Sequence, residues 1–172
     1  MRKAKEDSRL DRLWSPWRSE YISSSGAPNP QFEGCVFCHF KNHPEQDETN
    51  FVIHRAEHNL VVLNLYPYVS GHLLVVPYEH LGELDAASKE ITDELMDLTK
   101  HCQTVFRQAY KPSGFNIGMN LGHAAGAGIA DHIHLHILPR WVGDTNFMTT
   151  VGNTRVLPED LATTYRKLRD KF

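Results

Sequence analysis

The stretch "DHIHLHILPRW", residues 131 to 141, carries three histidines at alternate positions: His132, His134 and His136. Alternation is typical of a β-strand, whose successive side chains point to opposite faces at a rise of about 3.3 Å per residue. The three imidazoles are therefore predicted to line one face about 6.6 Å apart, with the intervening aliphatic side chains in the core. Imidazole titrates near neutral pH, binds metals and attacks electrophiles, so this row indicates chemistry rather than packing.

The histidine row alone leaves two classes of site open. Alternate histidines can bind one metal ion with a water in the open position. Alternatively, one imidazole is a nucleophile and its neighbours bind an anion. The preceding segment "GAGIAD" contains Gly126 and Gly128, whose backbone N–H groups can approach phosphate oxygens. Arg140 and Trp141 follow the row and offer a cation and a flat ring, which also favours phosphorus chemistry.

Other segments of the chain predict three further strands and two helices. The β-rich runs "NLVVLNLYPY" and "GHLLVVPYEH", joined by the turn segment "PYVSG", indicate an antiparallel hairpin. The segment "DAASKEITDELMDLTKHCQTVFRQAY" has apolar residues at helical spacing, and Asp85 or Ser88 can cap its start. A further strand is predicted in "GFNIGMNLG". A last helix is predicted with Pro158 in its first turn. These elements predict an α+β fold of about five antiparallel strands with helices packed on the sheet.

The size and charge of the chain limit its organisation and its partners. With 172 residues, it is predicted to form an arm and linker over residues 1–30 and one domain over residues 31–172. The formal net charge of −3 gives no general attraction to nucleic acid or to an acidic membrane. No apolar run reaches the length of a membrane span, and the first residues lack the apolar core of a signal peptide. We therefore expect a cytoplasmic protein that binds neither nucleic acid nor membrane.

Three cysteines are present, and two of them form a motif. Cys35 and Cys38 in "CVFC" are either a metal clip or a redox pair. Cys102 lies within the helical pattern and is predicted to be a core residue.

Taken with its neighbours, the triad "HIHLHILPRW" resembles the signature of the histidine triad (HIT) superfamily, His-x-His-x-His with hydrophobic x. The resemblance extends over about residues 34–150 and includes "GCVFC", "VVLNLYPYVSGHLLVVPYEH" and "GFNIGMNLG". The segment "LPRWVGDTNFM" is similar to members that cleave dinucleoside tetraphosphates. The family resemblance implies a nucleotidyl hydrolase or transferase, in some members a phosphorylase, and a homodimer with the HIT-like sheet.

The resemblance also implies roles for individual residues. His134 would attack the α-phosphate of a nucleotide conjugate and form a covalent nucleotidyl-histidine. His136 would donate to the phosphate oxygens, and His72 would support this network. The AMP moiety of the substrate would be bound by residues that match family positions or lie beside the triad: Asn64, Asn120, Gly126, Gly128, His136 and Trp141.

The same resemblance divides the histidine row between two sites. Zinc-type relatives bind a structural Zn²⁺ with two cysteines, the histidine of "P-x-x-H" and the first triad histidine. These positions correspond to Cys35, Cys38, His80 and His132. The alternatives are an empty or oxidised CxxC pair, or a catalytic metal bound by all three triad histidines.

The segment before the triad departs from the family pattern. Many relatives have Gly-Gln-Ser or Gly-Gln-Thr there, whereas this chain has Gly128-Ile129-Ala130 without an amide or hydroxyl side chain. The leaving-group preference of hydroxyl-bearing relatives therefore does not transfer. A nucleotide-binding or sensing module with little turnover is the alternative function.

Overall fold

Five antiparallel strands form the central sheet in the computed structural model, which describes residues 34–145 and 157–172. The strands are β1 (Val52–Arg55), β2 (Asn59–Leu63), β3 (Leu73–Pro77), β4 (Gly114–Gly118) and β5 (Leu135–Arg140). Their order in the sheet is β1-β2-β3-β5-β4. The predicted hairpin is confirmed, since β2 pairs with β3 in a register that sets Leu63 opposite Leu73. The predicted α+β architecture is also confirmed. Strand β1 was not separately predicted, because it is only four residues long.

Three α-helices accompany the sheet: α1 (Val36–Asn42), α2 (Lys89–Ala109) and α3 (Leu161–Arg169). Ser88 caps α2 by accepting a hydrogen bond from the Ile91 N–H, and Asp160 caps α3 by accepting one from the Thr163 N–H. The placement of Pro158 in the first turn of the last helix is wrong, because α3 begins at Leu161. No helix in the described ranges combines the length and apolar character that crossing a bilayer requires.

One face of the sheet packs against α2 and α3. Cys102 and Phe106 of α2 are fully buried there, together with Leu168 of α3. The assignment of Cys102 to the core is therefore confirmed. Burial of apolar side chains in such a core is the main stabilising contribution to a domain of this length.

The opposite face of the sheet carries a smaller core around α1. Phe37 and Phe40 of α1 pack on Val62 of β2 and Leu74 of β3. Helix α1 was not predicted. It places the CxxC segment on the face of the sheet opposite α2 and α3, where Leu74 and Val76 of β3 point.

The histidine row differs from the sequence prediction in one respect. Strand β5 begins at Leu135, so only His136 lies within it, and His132 and His134 precede it. The reason is that the Ile133 N–H donates to the carbonyl of Leu81, outside the sheet, at 2.6 Å. The ring centroids of His134 and His136 are 5.0 Å apart, closer than the distance of about 6.6 Å predicted from strand rise, and approach edge to face.

The predicted arm over residues 1–30 lies outside the described residues. The single domain predicted for residues 31–172 stays a prediction, and the described part of that range contains all the elements given above.

Glu94 of α2 fixes the turn between β1 and β2. Its carboxylate accepts hydrogen bonds from the backbone N–H groups of Glu57 (2.9 Å) and His58 (2.8 Å) and from the side-chain amide of Asn59 (2.8 Å). Burial raises the pKa of Glu94, but these donors outweigh it and the net pKa is lowered from 4.5. The carboxylate therefore satisfies three donors that the turn alone leaves unpaired.

We expect Glu94→Ala to lower the free energy of unfolding by about 2 kcal/mol, because three donors lose a charged acceptor. Since the folded-state pKa is depressed, this contribution is present above the unfolded pKa near 4.5 and is lost as pH falls through the folded pKa. Urea unfolding at pH 7 and pH 3 measures both effects. Glu90→Ala on the same helix is the matched control, and an equal loss in the two variants would contradict the assignment.

Candidate active site and metal centre

His134 lies at the centre of the site and is held in one tautomer. Its Nδ1–H donates to the backbone carbonyl of His132 at 2.9 Å, because a carbonyl can only accept. Nε2 is then unprotonated and carries the lone pair. Burial lowers the pKa of His134, while the hydrogen bond to the carbonyl acts in the opposite direction. A neutral imidazole with a defined free lone pair is what a nucleophilic histidine requires.

His136 and His72 form a second pair beside His134. Their ring nitrogens, Nε2 of His72 and Nδ1 of His136, are 2.8 Å apart. His72 is fully buried, and burial, followed by the neighbouring His136 and His134, lowers its pKa to about 2. His72 is therefore neutral at physiological pH and contributes one N–H donor rather than a charge.

Asn64 lies at the end of β2 beside this pair. Its side-chain amide nitrogen is 3.3 Å from His72 Nδ1, and its side-chain oxygen accepts from the Tyr66 N–H at 2.9 Å. Three of the predicted site residues, Asn64, His72 and His136, thus lie next to one another. The common cause is the β3–β5 pairing, which sets Leu74 opposite His136.

The loop before the triad holds another group of predicted residues. The side-chain amide of Asn120 donates to the carbonyl of Gly126 at 3.5 Å. Gly126 has a φ of +86°, a conformation that favours glycine. Gly128 lies two residues further on and is half-buried, and Ile129 after it packs against the core around α1.

Trp141 lies elsewhere. Its indole N–H donates to the carbonyl of Tyr110 at 3.3 Å, and the two rings approach edge to face at 6.3 Å. Within residues 34–145 and 157–172, Trp141 makes no hydrogen bond or ring contact with a histidine of the site. Arg140 likewise pairs with Asp144. The assignment of Trp141 to substrate binding stays a prediction.

A second cluster brings together the residues that the resemblance implied for a metal: Cys35, Cys38, His80 and His132. One ligand atom from each lies within 4.8 Å of the others. Cys35 Sγ is 3.3 Å from His132 Nδ1, and Cys38 Sγ is 3.2 Å from His80 Nδ1. With the usual Zn–S and Zn–N bond lengths, a tetrahedral site has sulfur–nitrogen distances of about 3.6 Å. The four side chains therefore fit a tetrahedral ion of the zinc type.

The rest of the His132 ring supports this fit. His132 Nε2–H donates to the carbonyl of Pro77 at 2.9 Å, so Nδ1 is the nitrogen that faces the thiols. A ligating histidine usually has its other nitrogen held in this way. Burial lowers the pKa of His132 to about 4, which keeps the ring neutral and able to coordinate. Because all four positions are protein side chains, the set is closed, as in structural sites.

Phe37 joins the two clusters and was not identified from the sequence. Its ring centroid is 5.3 Å from that of His132 and 5.1 Å from that of His134. The position within "CVFC" was the only available signal. Tyr68 was also missed, and its ring lies 4.8 Å from that of His72. No motif marks Tyr68.

Comparison with known proteins supports the family resemblance. The family model described as HIT domain matches residues 45–142. The AP-4-A phosphorylase of Mycobacterium tuberculosis is 39% identical over 165 residues, which cover 95% of this chain and 85% of that protein. The asymmetrical bis(5'-nucleosyl)-tetraphosphatase of Schizosaccharomyces pombe is 34% identical over 94 residues, 54% of this chain and 50% of that protein.

A solved structure matches the fold. The crystal structure of a zinc-bound histidine triad family protein from Mycobacterium smegmatis superposes with a TM-score of 0.65 at 30% identity. The match covers 80% of this chain and 92% of that chain. The triad, the sheet that carries it and these similarities lead to one conclusion: the chain belongs to the histidine triad (HIT) family.

Proposed function

We propose that this protein is a nucleotidyl hydrolase or transferase that cleaves dinucleoside polyphosphates, such as diadenosine tetraphosphate, at the α-phosphate. One observation carries the proposal: the His134 Nδ1–H is held by the His132 carbonyl, which leaves Nε2 as a nucleophile. The similarity to a phosphorylase and to a tetraphosphatase of dinucleoside polyphosphates supports the substrate class.

In the first step, the Nε2 lone pair of His134 attacks the α-phosphorus. The Nε2–P bond forms as the bond from phosphorus to the bridging oxygen breaks, and the remaining nucleoside polyphosphate leaves with that electron pair. In the second step, water or inorganic phosphate attacks the nucleotidyl group and restores the free imidazole. Water gives a nucleoside monophosphate, and phosphate gives a nucleoside diphosphate.

His136 and His72 stabilise the charge that develops on the phosphoryl oxygens. Because His72 Nδ1 accepts from the Tyr68 N–H, the His72 Nε2–H donates to His136 Nδ1, and the proton of neutral His136 is then on Nε2. A donor fixed before the reaction stabilises the transition state without a reorganisation cost.

The AMP moiety is bound by the residues that surround this pair and the glycine loop. Asn64 is assigned to the ribose and Asn120 to the phosphate side. The backbone N–H groups of Gly126 and Gly128 provide further donors to phosphate. Trp141 is assigned from the family resemblance alone, since it packs on Tyr110.

Zn²⁺ is the ion that the Cys35, Cys38, His80 and His132 set suits, and it supplies a structural cross-link when bound. These four residues come from α1 and its start, the segment after β3, and the segment before β5. A bound ion would tie His132, two positions before His134, to Cys35, Cys38 and His80.

A homodimer in the cytoplasm is the proposed state of the protein. Strand β4 is an edge of the sheet, and Ile117 on it is 43% exposed, which suits pairing with a second copy. None of the three cysteines forms a disulfide, as is usual in a reducing compartment. Sedimentation equilibrium tests the dimer, whose mass would be twice 19.7 kDa.

Products separate the two reactions and test the function itself. Incubation with diadenosine tetraphosphate and inorganic phosphate should give ADP and ATP if phosphate is the acceptor, or AMP and ATP if water is. Chromatography of the nucleotides with and without phosphate measures this. Tight AMP binding without cleavage of any conjugate would contradict the proposal and favour the sensing module.

A further inference from the structure

Tyr68, in the loop between β2 and β3, contacts both histidines that serve the phosphoryl oxygens. Its ring centroid is 4.8 Å from that of His72 at an interplanar angle of 42°. It is 6.1 Å from that of His136 and nearly parallel to it, at 20°. The ring therefore packs beside both imidazoles, whose nearest ring nitrogens are 2.8 Å apart.

The backbone of Tyr68 determines which nitrogen of His72 carries the proton. The Tyr68 N–H donates to His72 Nδ1 at 3.2 Å, and the side-chain amide of Asn64 approaches the same atom at 3.3 Å. An Nδ1 that accepts leaves the proton of neutral His72 on Nε2. That proton points to His136 Nδ1, 2.8 Å away, and the His136 proton is then on Nε2.

Backbone hydrogen bonds within the loop hold the Tyr68 N–H beside His72. The Asn64 N–H donates to the His72 carbonyl at 2.9 Å, and the His72 N–H donates to the Val69 carbonyl at 3.3 Å. Gly71 has a φ of +80°, and a Cβ there would lie 2.9 Å from the Phe106 ring. Glycine alone tolerates both the positive φ and the missing space for a Cβ, so at Gly71 the loop packs directly on Phe106.

We propose that Tyr68 is a positioning residue for nucleotidyl transfer: its backbone N–H and its ring hold His72 and His136 in the tautomers that present the His136 Nε2–H to phosphate. This inference rests on the proposed function. The ring packs on His72 and keeps the Tyr68 N–H against His72 Nδ1, so a smaller side chain loosens that hydrogen bond although the N–H itself remains. Without the ring, the opposite tautomer of His136 becomes populated, and that tautomer directs a lone pair at the phosphate oxygens.

The tautomers can be measured without substrate. In ¹⁵N-labelled protein, long-range ¹H–¹⁵N correlation spectra distinguish protonated from unprotonated imidazole nitrogens. Wild type should show Nε2–H for both His72 and His136. Tyr68→Leu should shift the His136 nitrogens toward an average of the two tautomers, while Tyr68→Phe, which keeps the ring and the backbone, should retain the wild-type pattern. Tyr66→Leu, two residues away in the same loop, is the matched control and should also retain it.

Kinetics give the second readout. Tyr68→Leu should lower kcat about tenfold with KM within about twofold of wild type, since the donor is displaced but the nucleotide contacts remain. Tyr68→Phe should restore kcat. Thermal unfolding identifies a variant that does not fold. Tyr68→Met, whose flexible side chain fills the same space, then replaces Tyr68→Leu.

Unchanged imidazole spectra and unchanged kcat in both Tyr68→Leu and Tyr68→Met would overturn the proposal. A Tyr68→Phe variant as slow as Tyr68→Leu would also overturn it, because the ring would then not be the relevant group. If wild type cleaves no dinucleoside polyphosphate, the proposed function fails, whereas the spectra still decide whether Tyr68 fixes the two tautomers.

Discussion

His134→Ala should lower kcat for diadenosine tetraphosphate by about 10⁴-fold or more while the fold is kept, because loss of a covalent nucleophile removes the whole two-step path. His134 is buried and directly precedes β5, and its only described hydrogen bond is to the His132 carbonyl. The cost to the free energy of unfolding should therefore be about 2 kcal/mol or less. Initial rates from nucleotide chromatography and thermal unfolding measure the two quantities.

The matched control for this variant is His101→Ala. His101 is exposed on α2 and its ring packs against Phe172, so kcat should be unchanged. A nucleotidyl adduct on His134 should be detectable by mass spectrometry after an alkaline quench, since a phosphorus–nitrogen bond is labile in acid. Turnover by His134→Ala at the wild-type rate would refute the proposed nucleophile.

Cys35→Ser should remove the bound zinc and destabilise the protein. Cys35 Sγ faces His132 Nδ1 at 3.3 Å, so its loss opens a closed tetrahedral set. At a free zinc concentration about 1,000 times Kd, binding contributes about 4 kcal/mol, which corresponds to a Tm lower by about 10 °C in the variant. Metal analysis and thermal unfolding, each with and without a chelator, measure the effect.

Two comparisons make this result specific. Cys102→Ala removes a cysteine in the core around α2, so it should keep one zinc ion per chain. Chelation should lower the Tm of wild type toward that of Cys35→Ser and leave the variant unchanged. One zinc ion per chain in Cys35→Ser, with the wild-type Tm, would contradict the assignment and revive a metal bound by the three triad histidines.

Local patterns were sufficient for the elements that are long or strictly periodic. Helix α2 repeats apolar residues over 21 positions, and the hairpin of β2 and β3 consists of two apolar runs around a turn. Short elements gave no comparable signal. Helix α1 has seven residues and β1 has four, and tertiary packing rather than propensity stabilises elements of this length.

The sequence predicted the histidines and cysteines of the candidate site, but not the aromatic residues that pack against them. The triad and the CxxC pair are visible as residue types at characteristic spacings, and His72 is implied by the family resemblance. Phe37 and Tyr68 are not visible in this way, because an aromatic residue between two cysteines or in a loop is ordinary in sequence. Their relevance comes from ring contacts with His134 and His72.

The sequence by itself determined that three histidines stand at alternate positions where a strand begins, and that nucleophilic chemistry and metal binding were both available to them. The family resemblance implied how the histidines divide, and only the tertiary structure decided which side chains each of them faces. His132 faces two thiols from a segment 94 to 97 positions away, while His136 faces His72, 64 positions away. Such contacts depend on the pairing of β3 with β5 and on the hydrogen bond from the Ile133 N–H to the Leu81 carbonyl, outside the sheet. The spacing of residues along the chain encodes neither of them.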